Sequence, residues 1–281
     1  MKTTFKTILF ASTIGLMALS TSCKKKGCTD ETAENYSSEA EKDDGSCTYP
    51  TEGTVTLTFS HNVDGSVLTA DVFDQLNYTT PEGNTYSVTK LQYLITDVRL
   101  YKASGDSIMI EGYHLVDLTD TSTLTYVLPE VVGLNPYTGI GFNYGFIDSK
   151  NISGEYADLN SASWSSPEML GGGYHQLKFE GRYINDATDT INFQYHNITR
   201  TENPDNSTFV ANDANIHLNK SMDLTGNANI EIKMNMQEWF RNPNTWDLDS
   251  LYTMLMPNYA AQIMMTENSY SVFSVGAVTV E

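Results

Sequence analysis

The side chains best suited to bind a transition metal in this 281-residue chain are its five histidines, His61, His114, His175, His196 and His217. The first three alternate with apolar residues, which predicts that they lie on the buried faces of strands. The last two alternate with polar residues, so we expect them in solvent. Imidazoles from separate strands can converge on copper or zinc without a local motif. Because HxH and HxxxH spacings are absent, His61, His114 and His175 are candidate metal ligands or hydrogen-bonded core residues.

Thioethers and paired carboxylates are weaker candidates. The methionines concerned are Met254, Met256, Met264 and Met265, and the acid pairs are Asp117 with Asp120 and Asp247 with Asp249. Thioethers bind cuprous copper, but the apolar pattern predicts a helix over residues 255–266 whose methionines pack inward. With 35 acids in the chain, paired carboxylates arise by chance and predict surface charge rather than acid–base catalysis.

Motifs of the common enzyme classes are missing from the sequence. It contains no GxSxG elbow, no Walker loop, no dinucleotide-binding glycine motif and no HExxH. Gly171, Gly172 and Gly173 precede a predicted strand, so they indicate a turn rather than a phosphate-binding loop. We therefore predict a binding protein and not an enzyme.

The N-terminal residues have the features of an export signal. Lys2 and Lys6 precede an apolar run over residues 8–19, too short to span a bilayer, and small residues lead to Cys23. This pattern predicts a lipoprotein signal peptide over residues 1–22 and acylation of Cys23, although Ser20 replaces the leucine usual at that place. Simple cleavage is the alternative. We expect the protein to be anchored to the envelope of a Gram-negative bacterium, with the outer membrane as the favoured location.

The other two cysteines follow within 25 residues of the predicted anchor. In an oxidising compartment cysteines form disulfides in pairs, so one of the three cysteines must have another role. If Cys23 carries lipid, Cys28 and Cys47 remain as a pair. Residues 27–47 (GCTD…DDGSC) resemble short modules of bacterial envelope proteins. The acids Asp30, Asp43 and Asp44 could hold calcium, but their spacing fits no complete calcium loop. We therefore interpret residues 23–50 as a lipidated stalk with a small disulfide module.

The strand pattern of the remaining residues, 51–281, predicts one domain, and this domain carries most of the negative charge of the chain. Removing residues 1–22, which hold two lysines and no acid, changes the formal net charge from −19 to −19 − 2 = −21. Such a charge disfavours nucleic acid and anionic membranes and favours cations. Predicted strands are 54–61, 66–73, 85–101, 107–118, 137–146, 173–184, 190–199, 214–218, 229–236 and 270–280, with helical patches at 237–241 and 255–266. The predicted fold class is all-β, an antiparallel β-sandwich with one or two short helices.

Several segments of this domain resemble the MbnP-like family. They are residues 59–65 (FSHNVDG), 78–100 (YTTPEGNTYSVTKLQYLITDVRL), 113–117 (YHLVD), 172–181 (GGYHQLKFEG) and 272–276 (VFSVG). Their order and spacing extend the resemblance over residues 53–281. Family members are exported copper-binding proteins associated with methanobactin or copper acquisition.

The resemblance implies copper held by two histidines and by a kynurenine that a dihaem peroxidase-type partner makes from tryptophan. On matching positions the histidines are His61 and His114. No tryptophan matches, because Phe59 occupies the place near His61 and Trp164, Trp239 and Trp246 lie far along the chain. Two other interpretations stay open: modification of one of those tryptophans, and a non-metal module contacting carbohydrate or protein through its 17 tyrosines.

Overall fold

The computed structural model describes residues 24–31 and 33–281 and falls into two compact units, Met1–Pro50 and Thr51–Glu281. The predicted signal peptide and the predicted acylation site Cys23 lie outside the described residues.

The N-terminal unit contains two short parallel strands, β1 (Lys26–Gly27) and β2 (Lys42–Asp43). The predicted disulfide between Cys28 and Cys47 is present. The carboxylates of Asp43 and Asp44 accept hydrogen bonds from the backbone N–H groups of Gly45 and Ser46. These acids therefore shape the turn before Cys47, as Asp residues in loops commonly do.

The larger unit is built mainly of strands. They are β3 (Glu52–Gly53), β4 (Val55–Val63), β5 (Ser66–Val67), β6 (Tyr78–Thr79), β7 (Thr85–Tyr101), β8 (Ser107–Asp117), β9 (Thr125–Val127), β10 (Val132–Gly133), β11 (Pro136–Tyr144), β12 (His175–Ile184), β13 (Thr190–Ile198), β14 (Arg200–Asn203), β15 (Thr208–Ala211), β16 (Ala214–Asp223), β17 (Ala228–Asn235) and β18 (Phe273–Val280). The α-helices are α1 (Ala157–Ser161) and α2 (Tyr259–Val272), and 3-10 helices span Ala70–Val72, Thr121–Leu124, Asp148–Lys150, Glu168–Leu170 and Met236–Phe240.

Two sheets confirm the predicted all-β sandwich. One has the strand order β13-β12-β7-β11-β16, with β6 and β8 also paired to β7, and the other has the order β18-β17-β4-β5, with β9 paired to β4. Pairing is antiparallel except between β4 and β17. Two strand predictions were too long by three residues or more. The strand after Ser66 ends at Val67 before a 3-10 turn, and the last strand starts at Phe273 because α2 extends to Val272.

The main core lies between the two sheets. Every second residue of β4 is buried, as its alternating sequence predicts. From this strand Phe59 contacts the ring of Tyr93 on β7, with ring centroids 6.1 Å apart. Phe142 of β11 meets Phe273 of β18 in the same way at 5.1 Å. Burying a phenylalanine side chain contributes about 1.5–3 kcal/mol, so such contacts hold the sheets together.

A second, smaller core covers the opposite face of the seven-stranded sheet. Its buried members are Leu94, Phe146, Leu159, Trp164 and Tyr174. Leu94 follows Tyr93 on β7, and successive side chains of a strand point to opposite faces. The second core therefore lies across the sheet from the main core, beneath α1 and the segment around Trp164.

A β-bulge at the start of β12 decides which of these cores His175 meets. His175 pairs with Ile198 and Leu177 with Asn197, so Gln176 is an extra residue. Buried Gln176 donates to the carbonyl oxygen of Asn212 at 2.9 Å. The side chain of Gln176 packs against Gly145, which has φ 78°. Any larger residue at position 145 would place its Cβ 2.4 Å from Gln176 Cγ, which is too close. Because the extra residue reverses the alternation, His175 faces away from Leu177.

Candidate functional site

His61 and His114, hereafter the inner pair, lie on β4 and β8. His61 is 5% exposed, and its Nε2 lies 3.1 Å from the hydroxyl oxygen of Tyr93. Burial lowers the pKa of His61 to about 3. The imidazole is therefore neutral at physiological pH, which is the form that binds metals.

His114 is half-buried in a stack of rings. Its imidazole lies nearly parallel to Phe59, with centroids 5.8 Å apart, and to Tyr126 at 4.5 Å. Nε2 donates to the carbonyl oxygen of Thr123 at 2.7 Å, and burial lowers the pKa of the ring. Since a carbonyl only accepts, the proton of the neutral ring is on Nε2 and Nδ1 carries a lone pair. A backbone carbonyl fixing one ring nitrogen is a common feature of metal-binding histidines.

Aromatic rings connect the two members of the inner pair. Tyr93 contacts His61 with centroids 5.7 Å apart and Phe59 at 6.1 Å, and Phe59 stacks on His114. A cavity of about 670 Å³ reaches Phe59 and His61 and is also lined by Glu231 and Lys233. The inner pair thus offers two imidazoles, while the phenylalanine beside them adds no donor atom.

His175 does not join the inner pair in the main core. The Gln176 bulge turns it toward the second core, where its ring lies 5.7 Å from that of Trp164 and 5.6 Å from that of His196. His175 is 4% exposed, so the prediction of burial holds, but regular alternation would have put it on the face of Leu177 and Phe179, and the bulge puts it on the other face. His196 was expected in solvent and is instead half-buried against His175. We call His175 and His196 the outer pair.

Charged neighbours surround the outer pair. Hydrogen bonds from His196 Nε2, at 3.0 Å, and from Lys90 hold the pKa of Glu180 at about 2. Burial, together with the positive charge of Lys178, lowers the pKa of His175 to about 3. Lys178 itself donates to the carbonyl oxygen of Ser163 at 2.6 Å and lies 5.0 Å above the ring of Trp164.

The methionine candidates divide into two groups. Met265 is fully buried on α2 and Met264 packs against the main core, as predicted for a helical face. Met254 and Met256 precede the helix instead and line a cavity of about 350 Å³ together with Met169 and His196. Met169 comes from a 3-10 turn more than 80 residues earlier, so no sequence spacing could have grouped these thioethers.

The tryptophans also occupy different surroundings. Trp239 and Trp246 belong to the main core, where they contact Tyr195. Trp164 belongs to the second core and contacts the imidazole of His175. Trp164 is therefore the tryptophan that the outer pair touches.

Within residues 24–31 and 33–281, no three side chains of His, Cys, Asp or Glu converge as a metal site would require. No helix there combines the length and apolar character needed to cross a membrane. The inner pair and the outer pair are each two-histidine groups.

Comparisons with known proteins agree with the resemblance noted in the sequence. The family model described as MbnP matches residues 52–264. A structure search matches MbnP from Methylosinus trichosporium, with 13% identity, a TM-score of 0.49, and coverage of 81% of this chain and 99% of that chain. A comparison with curated proteins finds no match.

Proposed function

The chain belongs to the MbnP family, and on that premise we propose that it binds copper through the inner pair, His61 and His114. The observation that carries the proposal is the hydrogen bond from His114 Nε2 to the Thr123 carbonyl, which leaves Nδ1 free to bind a metal. His61 supports it as a second neutral imidazole in the same aromatic group.

The donor set favours cuprous copper over zinc. Structural zinc sites use four protein donors, and catalytic ones use three with water. The inner pair contributes two imidazoles, and a cuprous ion is satisfied by fewer donors than zinc. The rings of Tyr93 and Phe59 pack against these imidazoles, and such an apolar surrounding also suits a soft monovalent ion.

Copper titration of the purified protein tests this proposal. We expect His61→Gln and His114→Gln each to weaken binding of Cu(I), measured by competition with a chromogenic chelator, by more than about tenfold. His217→Gln is the matched control, because His217 is exposed and stacks on Tyr101. If the double variant binds Cu(I) as tightly as the parent protein, the inner pair is not the copper site.

Export and anchoring belong to the same proposal. The protein is held at the bacterial envelope by acylation of Cys23, and its family partner is a dihaem peroxidase-type enzyme. Intact mass of the protein from its native host measures both the acyl chains and any oxidised tryptophan. A mature chain that starts elsewhere, or carries no acyl mass, would remove the anchor from the proposal.

A non-metal binding module is the second candidate. The cavity of about 670 Å³ beside His61 favours it, because this volume is in the range of small-molecule pockets and the lining mixes apolar groups with Glu231 and Lys233. A glycan array distinguishes the two candidates. Carbohydrate binding that survives the His61→Gln and His114→Gln double variant supports the module, and copper binding lost in that variant supports the metal site.

A further inference from the structure

The two imidazoles of the outer pair are close enough to share one metal ion. A metal–nitrogen bond of about 2.0 Å places a ring centroid roughly 3.2 Å from the ion, so two rings on one ion lie at most about 6.4 Å apart. The rings of His175 and His196 are 5.6 Å apart at an interplanar angle of 85°. This separation corresponds to a bent arrangement of two ligands around one ion.

Hydrogen bonds fix the proton on one nitrogen of each ring. His175 Nδ1 donates to the carbonyl oxygen of Trp164 at 2.9 Å, and His196 Nε2 donates to the carboxylate of Glu180 at 3.0 Å. A carbonyl and an ionised carboxylate are acceptors only, so a ring that carries a single proton keeps it at those atoms. His175 Nε2 and His196 Nδ1 then carry the lone pairs. A carbonyl and a carboxylate behind two imidazoles is the arrangement that supports metal-ligating histidines.

Three thioethers line the cavity that contains His196. Met169 and Met254 are 83% and 74% exposed, which is unusual for apolar side chains, and Met256 is half-buried beside them. Met254 also adopts φ 56°, a conformation that side-chain-bearing residues rarely take. The three methionines come from two separate loops and meet at this cavity. Thioether sulfur is a soft donor that selects monovalent copper and similar ions over calcium or magnesium.

We propose that the outer pair is a second metal site, in which His175 and His196 bind a soft monovalent ion and thioethers of Met169, Met254 and Met256 complete its coordination. The ammonium of Lys178 lies on the same strand between His175 and Glu180 and favours an ion of lower charge. The site uses none of the residues of the inner pair. It therefore goes beyond the copper binding proposed above, and either site can exist without the other.

Silver(I) titration tests this site, because Ag(I) is a soft monovalent ion that undergoes no redox change under these conditions. The experiment uses the full chain with Cys23→Ser, so that no thiol competes, and with His61→Gln and His114→Gln, so that the inner pair is silent. Methionines carry a labelled methyl group observed by NMR. We expect one equivalent of silver to bind and to shift the methyl resonances of Met169, Met254 and Met256, while Met109, exposed on β8, does not move.

Variants of the outer pair complete the test. The glutamine of His196→Gln can still donate a hydrogen bond to Glu180, so we expect this variant to fold. Loss of a residue that only hydrogen-bonds a metal ligand typically weakens metal binding by roughly 10- to 100-fold. Because His196 is itself a proposed ligand, we expect a larger loss of silver affinity. A triple variant, Met169→Leu, Met254→Leu and Met256→Leu, changes the cavity lining and leaves the two imidazoles intact. We expect it to lower the affinity as well. Unchanged affinity in both variants, or methionine resonances that stay still at one equivalent, would overturn the proposal.

Discussion

The inner pair and the outer pair lie on opposite sides of the seven-stranded sheet and differ in how their imidazoles meet. In the inner pair, Tyr93 and Phe59 connect the two histidines through a chain of ring contacts. In the outer pair the two rings touch directly, and each has a hydrogen-bond acceptor behind it. The inner pair is proposed from the sequence resemblance, whereas the outer pair is proposed from the geometry of its imidazoles.

This difference shows how a β-bulge can bring two histidines together. Without the bulge, with Gln176 as an ordinary paired residue, His175 would lie with Leu177 in the main core and would not reach His196. With it, a strand that supplies core residues to one face supplies a histidine to the other. The two regions thus lie on the two faces of the seven-stranded sheet and expose their donors to different surroundings, an aromatic core in one case and a methionine-lined cavity in the other.

Packing distinguishes the regions most strongly. Phe59→Ala removes a buried ring beside the inner pair, so we expect it to lower the free energy of unfolding by about 3–5 kcal/mol. Met169→Ala, at the exposed edge of the outer pair, should change it by no more than about 0.5 kcal/mol. Chemical denaturation measures both. Similar losses would mean that the edge of the outer pair is as tightly packed as the core.

The carboxylate behind His196 separates the regions by metal affinity. Glu180→Gln keeps a hydrogen-bond acceptor for His196 but removes the negative charge. We therefore expect silver affinity at the outer pair to fall about tenfold, the low end of the range for residues that hydrogen-bond to a metal ligand. Copper affinity at the inner pair should not change. Glu238→Gln is the matched control, because Glu238 bonds Arg241 rather than a histidine. Equal silver affinity in the parent and in Glu180→Gln would remove Glu180 from the site.

We expect low pH to destabilise the metal-free protein, because one buried histidine of each pair is neutral in the folded state and protonated in the unfolded state. His61 and His175 have folded-state pKa values of about 3, below the usual value of 6.5. The unfolded chain therefore binds more protons between these values, and stability falls as pH drops below 6.5. Each histidine contributes up to about 1.4 kcal/mol per pH unit in this window.

Comparing slopes assigns this effect to the two histidines. Between pH 6 and 5, where most carboxylates remain ionised, His61→Gln and His175→Gln should each flatten the dependence of the unfolding free energy on pH. The exposed His217→Gln serves as the control. Parallel slopes in the parent and in both buried-site variants would mean that neither histidine is held neutral by burial.

Single thioethers should have the smallest effect. Met254→Leu or Met256→Leu alone leaves two sulfur donors at the outer pair, so we expect silver affinity to fall by less than about tenfold, or 1.4 kcal/mol. Met109→Leu should leave it unchanged. A larger loss from one methionine, measured by competition titration, would identify that sulfur as the dominant donor.

Sequence pattern predicted the strands of the sandwich well where alternation was regular. Val55–Val63 alternates between buried and half-buried residues, and β7 spans the predicted residues 85–101. The disulfide followed from the odd number of cysteines. The prediction that His196 is exposed to solvent was wrong. It was made from polar neighbours on the same strand, such as Gln194, and the pattern of one strand carries no information about the contact with His175 on the adjacent strand.

The sequence by itself determined the fold class, the family, and burial of His61 and His175, because burial follows from local alternation of apolar residues. Tertiary structure alone decided which donors meet. The Gln176 bulge depends on space left by Gly145, and Met169 reaches His196 only through folding of distant loops. Side-chain direction in a strand is set by pairing register, and register is a property of two strands rather than of one sequence segment.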